Sequence, residues 1–236
     1  MTTEVLELVI KENLSRVQEN IQNALIRSGR SKDDVTLIAV TKTVEAEAIN
    51  EAISLGISNI GENKVQEINR KYDNIDENVN WHMIGHLQSN KVKYIIDKVN
   101  LIHSLDRLSL AKEINKRALQ ANLTKDVLIQ VNVAEEDSKF GLKVEKVIPF
   151  IESILRFESI RVKGLMTMAP FTNNPDEVRF VFRDLRKLGL EIEKRNYENV
   201  EMKYLSMGMS NDYEVAIEEG ANMVRIGTAI FGKRIY

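Results

Sequence analysis

Eight short apolar runs, nearly every one followed by a longer amphipathic stretch, constrain this chain more than any other feature. The strand-like runs are 37–41, 58–60, 81–84, 101–103, 127–133, 162–166, 202–205 and 223–226. Their near-continuous apolar character suits a parallel sheet covered on both faces. Helix-like segments fall at 46–55, 64–72, 91–99, 108–121 and 144–155. A sixth opens at Asn174-Pro175-Asp176-Glu177, with Asn174 as N-cap, Pro175 at the first helical position and Glu177 closing a capping box. The seventh, 212–219, stops at Gly220. Ahead of the alternation, Leu6, Ile10, Leu14, Val17, Ile21, Ala24 and Ile26 repeat near a 3.6-residue period, which predicts a helix over 4–28 capped by Gly29.

Strict βα alternation with eight strands predicts a single (β/α)8 TIM barrel with an additional N-terminal helix. An open doubly wound sheet would need two edge strands, and no run is charged or proline-bearing enough to be one. The three prolines and eleven glycines form no linker. One domain over 1–236 is therefore expected, with 1–30 packed on the barrel as the extra helix.

Composition removes several functions. The net charge of −2 and the lack of a basic stripe argue against nucleic acid as a partner. No apolar run approaches the roughly 20 residues of a membrane span, and the N-terminus has no basic-then-apolar signal pattern, so a cytoplasmic protein is expected. With no cysteine there are no disulfides, thiolate metal sites or Cys nucleophiles. His82 and His86 are four apart but lack HExxH flanks, so a metal site has little support. No large apolar patch can be read, and a monomer is expected.

In a barrel, chemistry gathers at the C-terminal ends of the strands. The first strand ends on Lys42, a residue seldom placed beside a core without reason. The seventh ends Ser206-Met207-Gly208-Met209-Ser210 and the eighth Arg225-Ile226-Gly227-Thr228. Loops after strands 7 and 8 are frequent phosphate sites. Gly208 and Gly227 let backbone approach an anion, and Ser210 and Thr228 add hydroxyl and amide donors. Because a barrel closes between strands 8 and 1, Lys42 faces the same mouth. An amine beside a phosphate cradle suits a phosphorylated aldehyde, pyridoxal 5′-phosphate (PLP) above all, held as a lysine Schiff base. Desolvation at the mouth would favour the neutral, attacking amine.

Each residue also has a plainer reading. Lys42 could snorkel to solvent. Arg225 could pair with a core carboxylate or reach the pyridine nitrogen. His82 could be a satisfied core histidine, stack on the ring, or act behind the direct contacts. Asn63 and Glu62 could form a turn or touch the exposed face of the cofactor. His86 and His103 read as structural.

The ordered segments AVTKT, IGENKVQE, WHMIGHLQSNK, HSLDR, NVAEEDSKFGL, GLMTMAP and LSMGMSNDYEVAIEEGANMVRIGTAIFG resemble the pyridoxal phosphate homeostasis proteins, from about Val35 to Gly232. The resemblance implies the barrel also found as one domain of alanine racemase. It implies Lys42 as the Schiff-base lysine, Ser210, Gly227 and Thr228 at the phosphate, and Arg225 near the pyridine nitrogen. Asn63, His82 and Met209 complete the expected cofactor-binding set. Ile60 and Lys64 depart from the family's common Phe and Tyr. The implied role is non-catalytic: buffering PLP or supplying it to PLP-dependent apo-enzymes.

The alternative is a PLP-dependent, racemase-like enzyme. A guanidinium only donates, so Arg225 would hold the pyridine nitrogen unprotonated and weaken the ring as an electron sink; alanine racemase resembles this arrangement yet is catalytic, so Arg225 alone does not decide between the readings. Racemisation also needs a second acid/base, which alanine racemase draws as a Tyr from another domain that this chain is not expected to hold. Tyr204 and Tyr213 are the nearest candidates here. A Schiff-base aldolase acting on a sugar phosphate would use the same parts, usually with its lysine on a later strand.

Overall fold

The computed structural model describes residues 3–76, 78–136 and 139–232, without the side chains of Thr3, Glu4 and Leu6. The expectations for residues 1–2 and 233–236, for Glu77, Asp137 and Ser138, and for the side chain of Leu6 lie outside the described residues.

Eight parallel strands close into a barrel in chain order: β1 (Thr36–Val40), β2 (Asn59–Glu62), β3 (Asn80–Met83), β4 (Leu101–Leu105), β5 (Lys125–Gln130), β6 (Ile160–Met166), β7 (Val200–Ser206) and β8 (Met223–Ile226). Closure runs through β1 and β8, with Ile38 opposite Arg225 and Ala39 opposite Ile226. No strand is left as an edge, in keeping with the absence of edge-protecting charges in the sequence.

The helices are α1 (Thr3–Arg27), α2 (Ala46–Ser54), α3 (Val65–Lys71), α4 (Leu108–Gln120), α5 (Val144–Ile154), α6 (Arg179–Glu193), α7 (Tyr213–Glu218) and α8 (Thr228–Phe231). Two cores result. Ile38, Leu101, Leu128, Met166 and Met223 fill the barrel, with Tyr204 and Met168 packed on them. A larger layer lies between strands and helices and takes in Ile10, Leu14, Val17, Ile21 and Ala24 of α1. That helix is tied to α8 and α7 as well: Asn13 Nδ2 donates to Ile230 O at 2.9 Å and Asn20 Nδ2 to Tyr213 Oη at 3.0 Å. Ile26, expected on the apolar face, is exposed; Leu25 takes the buried position beside it.

Three local expectations are corrected. The segment 91–99 is a 3₁₀ helix, Ser89–Tyr94, followed by tight turns, not an α-helix. Val92, Ile95, Ile96 and Val99 are all buried there, and their close spacing suits a coil whose i and i+3 side chains eclipse. The fifth strand stops at Gln130, because Val131 bridges to Leu142 and Asn132 turns back to hold Glu136. Asn174 does cap a first turn, accepting from Asp176 N at 3.3 Å, but Glu177 closes no capping box. Its carboxylate accepts the Thr172 hydroxyl at 2.7 Å, and that same Thr172 Oγ1 accepts the Asn174 amide at 3.1 Å.

Candidate functional site

A cavity of about 430 Å³ opens at the C-terminal ends of the strands, a size suited to a small molecule. Lys42, Asn63, Met209, Ser210, Arg225, Gly227 and Thr228 line it. Strand β8 and the segments after β1, β2, β7 and β8 therefore bring together seven of the residues singled out in the sequence. His82 is not among the lining residues; it lies in the barrel interior, bonded to His103 and Asn59. Gly208 is absent too. It adopts φ +96°, and a Cβ there would lie 2.7 Å from Ala216 Cβ and 2.8 Å from Tyr213 Cα, so glycine is required by the helix packed beneath the loop.

Lys42 is exposed at the mouth, so the desolvation expected of it is not found. What distinguishes its position is the backbone. Val44 N donates to Thr41 O at 2.9 Å, closing a tight turn over Lys42 and Thr43. Thr43 sits at φ +60°, an outlier for a β-branched residue. Beneath the turn lies a buried ion pair. Lys71 Nζ donates to Glu62 Oε1 at 2.6 Å and to Thr41 O at 2.9 Å, and the Thr41 hydroxyl donates to Glu62 Oε1 at 2.8 Å. Glu62 is thus turned toward α3 and away from the cavity, which corrects its reading as a possible cofactor contact.

The strain makes a prediction. A non-glycine residue in the left-handed region costs about 1–2 kcal/mol, while glycine's extra chain entropy costs about 0.5–1 kcal/mol. Thr43→Gly is expected to leave the unfolding free energy from urea titration unchanged or raise it by up to about 1.5 kcal/mol, where Thr→Gly ordinarily destabilises. A clear drop in the midpoint would refute the strain argument.

On the neighbouring strand β8, Arg225 is almost fully buried. Its Nη1 donates to Ser206 Oγ at 2.6 Å and its Nη2 to Thr167 O at 2.8 Å. Among the described residues nothing accepts its Nε–H, so a buried cation retains donors at the cavity wall. Burial lowers its pKa to about 10, against the partial support of Asp212. Asp212, whose carboxyl is pushed up by burial, holds the 209–212 loop by accepting Met209 N at 2.6 Å. Ser210 Oγ accepts Ala229 N at 3.4 Å and so joins the loops after β7 and β8.

Sequence reasoning missed Ile84, Met168, Phe171, Thr172, Asn211 and Asp212 as cavity walls. Asp212 was visible only as a helix start, and Phe171 carried no signal beyond a loop near Pro170. His103, read as structural, is a fully buried core histidine that joins His82 to Ser206 inside the barrel. His86 lies apart from this pair and stacks on Phe140 at 3.8 Å. No tyrosine among the described residues lines the cavity: Tyr204 packs on the barrel interior and Tyr213 pairs with Asn20.

A sequence profile for the alanine racemase N-terminal domain matches residues 13–234. A protein of Aquifex aeolicus (strain VF5) named pyridoxal phosphate homeostasis protein is 50% identical over 226 residues, covering 95% of this chain and 98% of its own. The chain belongs to the pyridoxal phosphate homeostasis protein family. Among solved structures, a Bifidobacterium adolescentis protein superposes with a TM-score of 0.92 at 32% identity, over 98% of this chain and 97% of that one. PipY of Synechococcus elongatus PCC7942 with PLP bound gives a TM-score of 0.82 at 28% identity, over 94% of this chain and 100% of PipY. Family membership fits the closed barrel and its extra N-terminal helix, and it fits a cavity lined by both an amine and a donor-rich guanidinium. Among the described residues no helix is long and apolar enough to cross a membrane, and no group of His, Cys, Asp or Glu is gathered to hold a metal.

Buried imidazoles add a pH dependence to this fold. Burial lowers the His82 pKa to about 4 and holds His103 well below the ordinary value, with His82 and Arg225 adding repulsion. The folded state therefore binds fewer protons than the unfolded state. Stability is full above the unfolded pKa of about 6.5 and is lost as pH falls toward 4. His82 alone is expected to remove about 3 kcal/mol across that interval. Urea unfolding at pH 7.5, 6, 5 and 4 checks this; a flat profile would refute the neutral, buried assignment.

Proposed function

We propose that this chain binds pyridoxal 5′-phosphate through a Schiff base to Lys42 and serves, without turnover, in PLP homeostasis, buffering the cofactor or supplying it to apo-enzymes. One observation carries the reading: an amine, a buried guanidinium with unspent donors, and two loops rich in amide and hydroxyl donors all line one cavity. A relative binds PLP in the same fold, and close relatives bear the homeostasis name. The residues fit the group. Lys42 supplies the amine, and condensation with the aldehyde forms a C=N bond and releases water. Ser210, Gly227 and Thr228 offer donors to the phosphate, and Arg225 faces the ring nitrogen as a pure donor. Asn63 and Met209 flank the ring. His82 acts from behind the wall. The whole chain serves as one PLP-binding unit, monomeric and cytoplasmic.

Two features favour carriage over catalysis. A donor at the ring nitrogen disfavours protonation there and with it carbanion stabilisation. Neither tyrosine considered as a second acid/base reaches the cavity wall. The racemase-like reading keeps one support, the match to the alanine racemase domain profile. The deciding experiment is an absorbance spectrum of purified protein with PLP before and after borohydride, with peptide masses. A visible band lost on reduction, with the cofactor mass on the Lys42 peptide, is expected. A colourless protein, or a mass on another lysine, overturns the Lys42 assignment. Exchange of amino-acid α-protons into D₂O at catalytic rates would favour the racemase-like reading instead.

A further inference from the structure

Four side chains connect Arg225 to the opposite, N-terminal rim of the barrel. Arg225 Nη1 lies 2.6 Å from Ser206 Oγ, and Ser206 Oγ 3.0 Å from His103 Nδ1. His103 Nε2 lies 2.9 Å from His82 Nδ1, and His82 Nε2 3.0 Å from Asn59 Oδ1. Ser206, His103, His82 and Arg225 are buried, so a mismatch among those four has little access to water; the Asn59 end is half-buried.

With the Asn59 amide in this orientation, one proton order satisfies every link. Asn59 Nδ2 donates to Ser58 Oγ at 3.1 Å, which leaves Oδ1 facing His82 as an acceptor. A neutral His82 must then carry its proton on Nε2 and accept at Nδ1. His103 must in turn donate from Nε2 and accept at Nδ1. Ser206 donates its hydroxyl proton to His103 and is left as an acceptor for the guanidinium, which only donates. Burial of both rings favours the neutral forms this order requires. Reversing the order would leave the Ser206 hydroxyl proton without its acceptor on His103 and set the His82 Nε2 lone pair against Asn59 Oδ1.

We propose that Ser206, His103, His82 and Asn59 are positioning residues: a one-way donor chain that, with the Thr167 carbonyl, fixes the Arg225 guanidinium and so sets how it meets the ring nitrogen of a bound pyridine aldehyde. The ligand part rests on the PLP reading above; the proton order does not. Asn59 lies outside the cavity lining, so its side chain reaches the ligand through the chain and not by contact.

The test uses ¹⁵N-labelled full chain at pH 8, free of PLP and then with PLP added. Long-range ¹H–¹⁵N spectra are expected to show both His82 and His103 protonated on Nε2. A proton on Nδ1 of either ring overturns the chain. Asn59→Leu removes the terminal acceptor, while Asn59→Asp keeps an oxygen at the same reach. The Leu variant is expected to lose the defined tautomers, shift the Arg225 Nε–H resonance and weaken PLP about tenfold, as loss of a charge-assisted contact does. The Asp variant is expected to restore the tautomers and most of the affinity. If both variants bind PLP like the parent, or both weaken it equally, the positioning role is refuted. Should the Leu variant not fold, the parent's tautomers together with Asp-variant binding decide. A parent with both tautomers that binds no PLP would overturn the functional reading and leave the Arg225 tether standing.

Discussion

Lys42→Ala is expected to abolish the visible absorbance of the PLP-loaded protein and to weaken PLP binding by about two orders of magnitude, about 3 kcal/mol. The side chain is exposed and its removal strips no core contact, so folding should be intact by circular dichroism. What is lost is the covalent bond; the donors of Ser210, Gly227, Thr228 and Arg225 remain at the cavity. Residual, non-covalent PLP affinity is therefore expected, measurable by fluorescence titration. Lys42→Arg should behave like Lys42→Ala, because a guanidinium keeps the charge but cannot form the C=N bond. Unchanged affinity in both variants would show that Lys42 only snorkels. Loss of affinity in Lys42→Ala but not in Lys42→Arg would mean that the residue contributes charge alone.

Much of this site is local in the chain, and that is why it could be read. Lys42 follows an apolar run directly, and Ser210, Gly227 and Thr228 follow the last two runs, so strand counting and barrel closure were enough to set them at one mouth. The partners that hold them are not local. The His82–His103 bond depends on the register between β3 and β4, and His103–Ser206 spans the barrel between residues 103 positions apart. Each histidine by itself looks like an ordinary core residue. The segment 91–99 reads as α-helix because its buried residues, Val92, Ile95, Ile96 and Val99, lie three and four apart; only Val92 falls in the 3₁₀ helix and the rest in the turns after it. Thr43 gave no sign of its positive φ, since glycine or asparagine is the usual marker of that conformation.

Least legible was the pair beneath Lys42, and it carries the largest stability effect. Lys71 closes α3 on a sequence, Arg70-Lys71, that reads as a solvated helix end; in the structure it is 2% exposed against a fully buried Glu62. Lys71→Met keeps the length and the packing of the stem but removes the cation. Glu62 is then left with the Thr41 hydroxyl alone, and its Oε2 already has no partner among the described residues. An uncompensated buried charge costs about 3–5 kcal/mol. For a chain of 236 residues that corresponds to a fall in Tm of roughly 10 °C. The double variant Glu62→Gln/Lys71→Met removes both charges and should recover most of the loss, since a buried pair is often little better than a neutral replacement. Because Lys71 also holds the Thr41 carbonyl at the base of the Lys42 turn, the single variant should bind PLP more weakly at temperatures where it remains folded. Thermal unfolding of the two variants beside the parent separates the cases. A single variant within about 1 kcal/mol of the parent would place the pair among exposed salt bridges, which contribute little. A double variant no better than the single would assign the loss to Lys71's hold on Thr41, with the charge on Glu62 playing no part.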